Sequence, residues 1–367
     1  MRIERITFLT KNEIDIQNII NVLKNDTQNR DAADRSILEK LIVDFTKGDL
    51  SLLTNQEIQF LKLNPKNTWA DYLIYRIKFI SYEKQESIAD FPLYLVLEPV
   101  SACNLRCTMC FQIDETFTNN QKFMGMMDFN LFKKIIDEAE KNGTKAITLT
   151  CRGEPTLHPR LGEMLEYCGG KFLELKINTN ATKLTDKLIH QMLKSGLTDI
   201  VFSVDSYTKE EYESIRVRGI FEQVLNNIIR FKEIREKSYP NSRCATRISG
   251  VKVDPNQDPE KFKEFWKEYV DYVIMVDMIQ RWDIYNNTAD VMGNGPCYHL
   301  AGRMYIYFDG ACNPCDQDYK GLLAIGNVKD KTIREIWKSK KYADLRDAHR
   351  NNLRANYNPC DRCPVGS

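Results

Sequence analysis

Cys103-Asn-Leu-Arg-Cys107-Thr-Met-Cys110-Phe111 is the stretch on which the reading of this chain turns. A 4Fe–4S cluster is ordinarily held by thiolates, one to each iron. The C-x3-C-x2-C loop supplies three, so one iron keeps an open position for a small molecule, as catalytic zinc does. A zinc knuckle is the competing reading. Zinc, however, asks for four ligands in paired C-x2-C units or with histidines, and the nearest downstream histidine is His158. Just upstream, Leu93-Tyr-Leu-Val-Leu-Glu98 reads as a buried strand, so the cysteines leave its carboxyl end. In barrels of alternating strands and helices that end carries the chemistry.

From Pro92 onward, strand and helix patterns alternate. Strands are expected at Leu93–Glu98, Ala146–Thr150, Leu173–Asn178, Asp199–Val204, Ala245–Gly250 and Tyr272–Val276, with helices such as Asp128–Lys141, Thr185–Ser195 and Phe221–Arg235 between them. This alternation implies a parallel sheet with helices outside. Residues 1–90 form a mostly helical preface, with apolar residues at helical spacing in Asn12–Leu23, Ala33–Phe45 and Asn55–Leu63. The aromatic-rich Trp69–Phe79 is expected to pack on the next domain, and the preface as a whole reads as a packing or oligomerisation unit without chemistry. Residues 91–290 make the barrel and 291–367 a small extension. In that extension Arg303–Phe308 and Ala311–Asn313 form a hairpin turning at Asp309-Gly310, and Thr332–Asn351 is a closing helix.

A chain of 367 residues has ample core for one large domain and an extension. Net charge is +1, which gives no reason to expect nucleic acid or a membrane surface as partner. No apolar stretch approaches a transmembrane helix, and Met1-Arg-Ile-Glu-Arg-Ile-Thr7 is not a signal peptide. Eleven cysteines are an odd number and would suit a disulfide scaffold only in a much shorter secreted chain. Seven of them fit two metal sites, so a reduced, cytoplasmic, metal-binding protein is expected.

The cysteine loop and its following aromatic resemble the signature of the radical S-adenosylmethionine (SAM) superfamily, and the alternating segments resemble its α/β partial (β/α)6 TIM-like barrel. The resemblance implies a cluster on Cys103, Cys107 and Cys110 whose open iron chelates SAM. Reductive cleavage of SAM then yields a 5′-deoxyadenosyl radical that abstracts a substrate hydrogen. Arg152-Gly153-Glu154-Pro155 resembles the family's Gly-Gly-Glu-Pro segment. Gly153 would let the backbone approach the ligand, and the Glu154 carboxylate would suit the methionine ammonium. Arg152 departs from the pattern and either faces substrate or pairs with an acid. Asn178-Thr-Asn180 and Ser203-Val-Asp205-Ser206 look like the segments that meet the ribose and the carboxylate. Arg216 would hold the carboxylate through a bidentate fork. Met109 and Phe111 would lie against adenine.

Five cysteines remain near the end of the chain. The residues alone leave two arrangements open. One is a zinc ribbon from the pairs Cys312/Cys315 and Cys360/Cys363; the other is a second 4Fe–4S cluster on Cys297, Cys315, Cys360 and Cys363. The spacing from Cys297 to Cys315, with Phe308-Asp-Gly-Ala-Cys-Asn-Pro-Cys315 and Glu335-Ile-Trp337, resembles the twitch or SPASM extension of radical SAM enzymes. That resemblance implies the cluster and leaves Cys312 spare. Cys151, Cys168 and Cys244 read as small buried residues.

On the substrate side, Arg247 lies in an otherwise core-like strand and needs an anionic partner or solvent. Gln280-Arg281-Trp282-Asp283-Ile-Tyr285-Asn-Asn287, with Arg303 and Tyr305, offers groups that bind polar rings. A small hydroxylated or anionic substrate is expected, such as a sugar, nucleotide sugar or aminocyclitol, and the chain is similar to aminocyclitol dehydrogenases of the single-cluster type. The leading expectation is an oxidoreductase fed by an external one-electron reductant such as flavodoxin or ferredoxin. Arg152, Arg247 and Arg281 are its candidate catalytic residues, and the second cluster is its electron acceptor. An epimerase with Cys312, or else Cys151, as hydrogen donor is a close variant. A peptide maturase is a further alternative, though no peptide-recognition domain is visible. A non-catalytic iron–sulfur carrier is the last.

Overall fold

The computed structural model describes residues 14–83, 87–279, 281–286 and 296–364. Met1–Thr7, Gln280, Asn287 and the expected boundary at 290 lie outside the described residues. Strands β1 (Tyr94–Leu97), β3 (Ala146–Leu149), β4 (Glu174–Thr179), β5 (Asp199–Ser203), β7 (Ala245–Lys252) and β8 (Tyr272–Asp277) are the six expected ones. They pair in parallel in that order. Between them, β2 (Arg106–Cys107) and β6 (Arg216–Val217) form a separate two-stranded ribbon. Parallel strands require crossovers, and helices such as Phe129–Lys141, Asp186–Lys194 and Phe221–Ser238 supply them. Helix Phe129–Lys141 shows why these segments fold as they do. Asp128 caps its first amides, and Leu131, Phe132, Ile135, Ile136 and Ala139 bury one face against the sheet.

The extension adds β9 (Arg303–Ile306), β10 (Ala311–Asn313) and β11 (Gly326–Asn327). β9 pairs parallel to β1, so the nine-stranded sheet runs β11-β10-β9-β1-β3-β4-β5-β7-β8. The expected hairpin is present, and Gly310 supplies the positive φ (+87°) of its turn. The expected closing helix is divided into Ile333–Trp337 and Lys340–Arg350. Ser339 interrupts it, because its side chain accepts from the Tyr342 amide and starts a second helix.

Helices Ile16–Thr27, Ala32–Thr46, Asn55–Leu63 and Trp69–Glu83 make up the described preface. They cover the amino ends of the barrel strands. Tyr72 and Tyr75 each donate to Glu174 at 3.2 Å, and Gln56 donates to it at 2.7 Å. Phe79 meets Tyr94 edge-on. This closes the bottom of the barrel and leaves the carboxyl ends to the cysteine loops. No helix among the described residues is long and apolar enough to cross a membrane.

Candidate active site

The first cysteine loop is fixed on three sides. Cys107 lies in β2, paired with Arg216 in β6. Gln112 donates to Ser101 O at 2.8 Å and to Arg152 O at 2.6 Å, tying the loop to the end of β3. Gly153 lies so close that a Cβ would sit 2.4 Å from the carbonyl oxygens of Val100 and Ala102. Its small size serves the loop backbone, where a ligand was expected. Donors converge on the sulfurs: Leu105 N lies 3.4 Å and Asn180 Nδ2 3.8 Å from Cys103, and Arg216 Nη1 lies 3.9 Å from Cys107. Burial pushes the Cys103 thiol up to about 11 and Cys107 to about 12, and it raises Cys110 too. Such thiols stay protonated until a metal displaces the proton. Three cysteines with N–H donors aimed at two of the sulfurs fit an iron–sulfur cluster.

Glu154 is buried beside this loop. Its Oε1 accepts from Thr156 N, Thr156 Oγ1 and Thr179 Oγ1, and its Oε2 from Asn180 N at 2.7 Å. Burial raises its pKa, and these bonds work against the rise. Asn180, at the end of β4, thus touches both Glu154 and Cys103. Ser203 closes β5 and is half-buried. Asp205 accepts from Val251 N and pairs with Arg216 at 2.7 Å. Burial disfavours the Arg216 charge, but Asp205 and then Cys107 hold it on. Arg216 is therefore engaged with protein, where a free fork for the SAM carboxylate was expected. Met109 is half-buried. Phe111 is only 2% exposed, stacked on Tyr319 with ring centres 4.6 Å apart and edge-on to Phe117. It is a core residue, which corrects the expectation of an adenine contact.

Of the two expectations for Arg152 the structure shows the acid partner, and it places Cys312 away from the other cysteines of the extension. Arg152 faces no substrate space: it pairs with fully buried Glu98 and donates to Tyr319 O. Cys312 is fully buried within the main apolar core, and the charges nearest it are Glu138 and Asp309. Alternate residues of β10 face opposite ways, so Cys312 turns into that core, while its neighbour Ala311, and Cys315 beyond the strand, join Tyr305 and Tyr307. Cys297, Cys315, Cys360 and Cys363, by contrast, lie near enough together that ionising one would raise the thiol pKa of others in the set. Arg354 donates to the Cys360 and Cys363 carbonyls at 3.1 and 3.0 Å. Four thiols with this clamp fit the second cluster. Among the described residues no three such side chains converge as they would on a single metal ion.

Between the two cysteine sets, Arg281 forms an ion pair with Asp316, next to Cys315, and its charge also acts on Cys110. Cys151 packs among Val96, Tyr305, Tyr307 and Cys315, with φ at +131°. Arg247 lies lower in the barrel, on β7 beside Tyr272. Sequence reasoning missed Glu98 and Asp316. Glu98 left a signal as the acid ending an apolar strand; Asp316 left none. Cys168 and Cys244 are buried as expected.

Residues 97–266 match the model of the radical SAM superfamily, and residues 297–364 match the iron–sulfur cluster-binding domain known as SPASM. A tungsten-containing aldehyde ferredoxin oxidoreductase cofactor-modifying protein of Pyrococcus furiosus is 26% identical over 320 residues, covering 74% of this chain and 87% of its own. Mycofactocin maturase MftC of Mycobacterium tuberculosis is 27% identical over 143 residues, 39% of this chain and 35% of that protein. The chain thus spans about a third of the maturase's length. Among solved structures, BtrN with AdoMet and 2-DOIA has a TM-score of 0.51 at 17% identity, covering 75% of this chain and 94% of BtrN. Streptococcus suis SuiB bound to precursor peptide SuiA scores 0.56 at 17% identity, over 90% and 84% of the two chains. At that identity these two structures speak for the fold.

Proposed function

The chain being a radical SAM protein with a SPASM iron–sulfur domain behind its barrel, we propose that it dehydrogenates a small polar molecule at an alcohol carbon. When bound, the first cluster with SAM supplies a 5′-deoxyadenosyl radical, and the second supplies a one-electron acceptor. Glu154, held by Thr156, Thr179 and Asn180, orients the methionine end of SAM. Asp316, kept ionised against its burial by Arg281, takes the hydroxyl proton. The substrate loses a hydrogen atom, that proton and one electron, and becomes a ketone. An external one-electron reductant starts each cycle.

The observation that carries this reading is the Arg281–Asp316 pair, which stands between Cys110 of one cysteine set and Cys315 of the other. A substrate beside it would meet both cofactors. The peptide reading draws on the maturase likeness and comes second, because that likeness covers 39% of this chain. The relative covering 74% is named for modifying a cofactor. The test is anaerobic reconstitution followed by strong reductant and SAM: the parent should release 5′-deoxyadenosine and Cys107→Ala none. A parent that releases none sinks the proposal.

A further inference from the structure

On β7 and β8, Ile248 and Val273 face the helices, within the main core. Their alternates Arg247, Ser249, Tyr272, Ile274 and Val276 therefore face the barrel interior. Together with the start of helix Asn55–Leu63 they line a partly open cavity of about 160 Å³. Two polar groups in its wall are unsatisfied. Asn55 is only 3% exposed, and both its amide nitrogen and its oxygen lack a partner. Arg247 Nε also lacks a hydrogen-bond partner, and the aromatic ring of Tyr272 lies 5.9 Å from its guanidinium. The nearby carboxylate, Asp199, is drawn first to Lys176 among the charges around it. The buried Asn55 amide left unpaired costs free energy unless something else fills its bonds, and half-buried Arg247 keeps one buried nitrogen, Nε, without a partner.

We propose that this cavity holds the carboxylate end of a small-molecule substrate, a proposal that rests on the small-molecule reading above. Arg247 offers two parallel donors to a planar carboxylate. Asn55, in the wall of the same cavity, adds a third donor, and its oxygen accepts from a hydroxyl or amine beside the carboxylate. A single cation matches one negative charge better than a phosphate monoester, which carries about −1.5 to −2. Ser249 pairs in register with Ser203 at the carboxyl rim, and Arg247 lies two residues lower, about 7 Å into the barrel. An anchor at that depth leaves the rest of the molecule directed at the cysteine loops. It also gives the helical preface a part in substrate choice.

The test uses full-length protein with both clusters reconstituted, without SAM or reductant, titrated with lactate, lactamide and inorganic phosphate while its melting is followed. Lactate should stabilise the parent saturably, lactamide should not, and phosphate should bind at least about tenfold more weakly. Arg247→Gln and Asn55→Asp should each weaken lactate by at least about tenfold, and Arg247→Lys by less. Where Asn55→Asp fails to fold, Ser249→Leu, which fills the cavity from β7, takes its place. The proposal falls if lactate leaves the parent unmoved, if lactamide or phosphate matches lactate, or if Arg247→Gln binds lactate as the parent does. An unmoved parent in which only water fills the cavity would still release 5′-deoxyadenosine, so the two proposals fail separately.

Discussion

Arg152 and Glu98 form an ion pair sealed between the barrel and its extension, with Nε to Oε2 at 2.5 Å and Nη2 to Oε1 at 2.6 Å. The guanidinium also lies 3.6 Å from the centre of the Tyr307 ring, and Phe308 N donates to the same carboxylate. The residue that departs from the family's glycine pair thus joins the two domains.

Removing one partner of such a pair strands a buried charge. Arg152→Met should cost about 3–5 kcal/mol, and adding Glu98→Gln should recover part of it. Urea unfolding of the cluster-loaded protein reads both. A single variant as stable as the parent would show that the pair contributes nothing to joining the domains.

Gly153→Ala should damage the first cluster alone. Its Cβ would meet backbone on the cysteine loop, where no flexible side chain can yield. Iron should fall from about eight to about four per chain, with the remaining signal that of the SPASM cluster. Full iron content in this variant would mean that the loop tolerates displacement.

Cys312→Ala should keep about eight irons, whereas Cys315→Ala should keep about four. Iron and sulfide analysis after anaerobic reconstitution decides. The reverse result would restore the Cys312 ligand that the structure places in the core.

In Glu154→Gln an amide N–H would confront donors that now point at a carboxylate: Thr156, Thr179 and Asn180. SAM affinity should drop by at least about tenfold, measured by equilibrium dialysis. Thr179→Val removes one of those donors and should have a smaller effect. Equal affinity in both would take Glu154 out of the SAM site.

Stability should decline as pH falls below about 6.5, the ordinary histidine value. Burial lowers the pKa of His158, takes His349 down to about 4 and takes His299 to about 3. Because the folded values lie below the unfolded one, the unfolded chain binds more protons in this window. The stability these groups give is present above pH 6.5 and is lost as pH falls towards about 4 and about 3. Each contributes a slope of up to about 1.4 kcal/mol per pH unit. His158 accepts from Arg160 N and donates to the Met127 carbonyl, both of which a glutamine can imitate. Urea midpoints at about pH 7.5 and about pH 5.5 should therefore differ less in His158→Gln than in the parent; an unchanged difference would mean His158 titrates normally.

The barrel was legible because its strands are short apolar runs ending in polar residues, and each lies within about two residues of its expected place. The first cysteine set was legible from spacing, whereas setting Cys297 in place of Cys312 at the second rested on the family resemblance, since the residues alone left the ribbon open. What spacing does not encode is the face a residue takes. Phe111 and Cys312 turn inward, and Arg152 turns to an acid far away in the sequence. Asn55 left no trace, because a polar residue at a helix start reads as ordinary capping. The pairing of β9 with β1 was invisible for a similar reason: local pattern says that a strand exists, not which strand it joins.

That pairing dictates an order of events as the protein is made. Tyr94 and Arg303 are register partners about two hundred residues apart, so β1 gains its second neighbour only after that long intervening stretch has been synthesised. The strand that delivers Cys103, Cys107 and Cys110 has one free edge until then. Contacts this distant close late, since the intervening loop must be ordered first. The helical preface can dock on β4 long before, at Glu174. The strand that carries the first cluster's loop is therefore flanked on both edges only once the segment bearing β9 arrives.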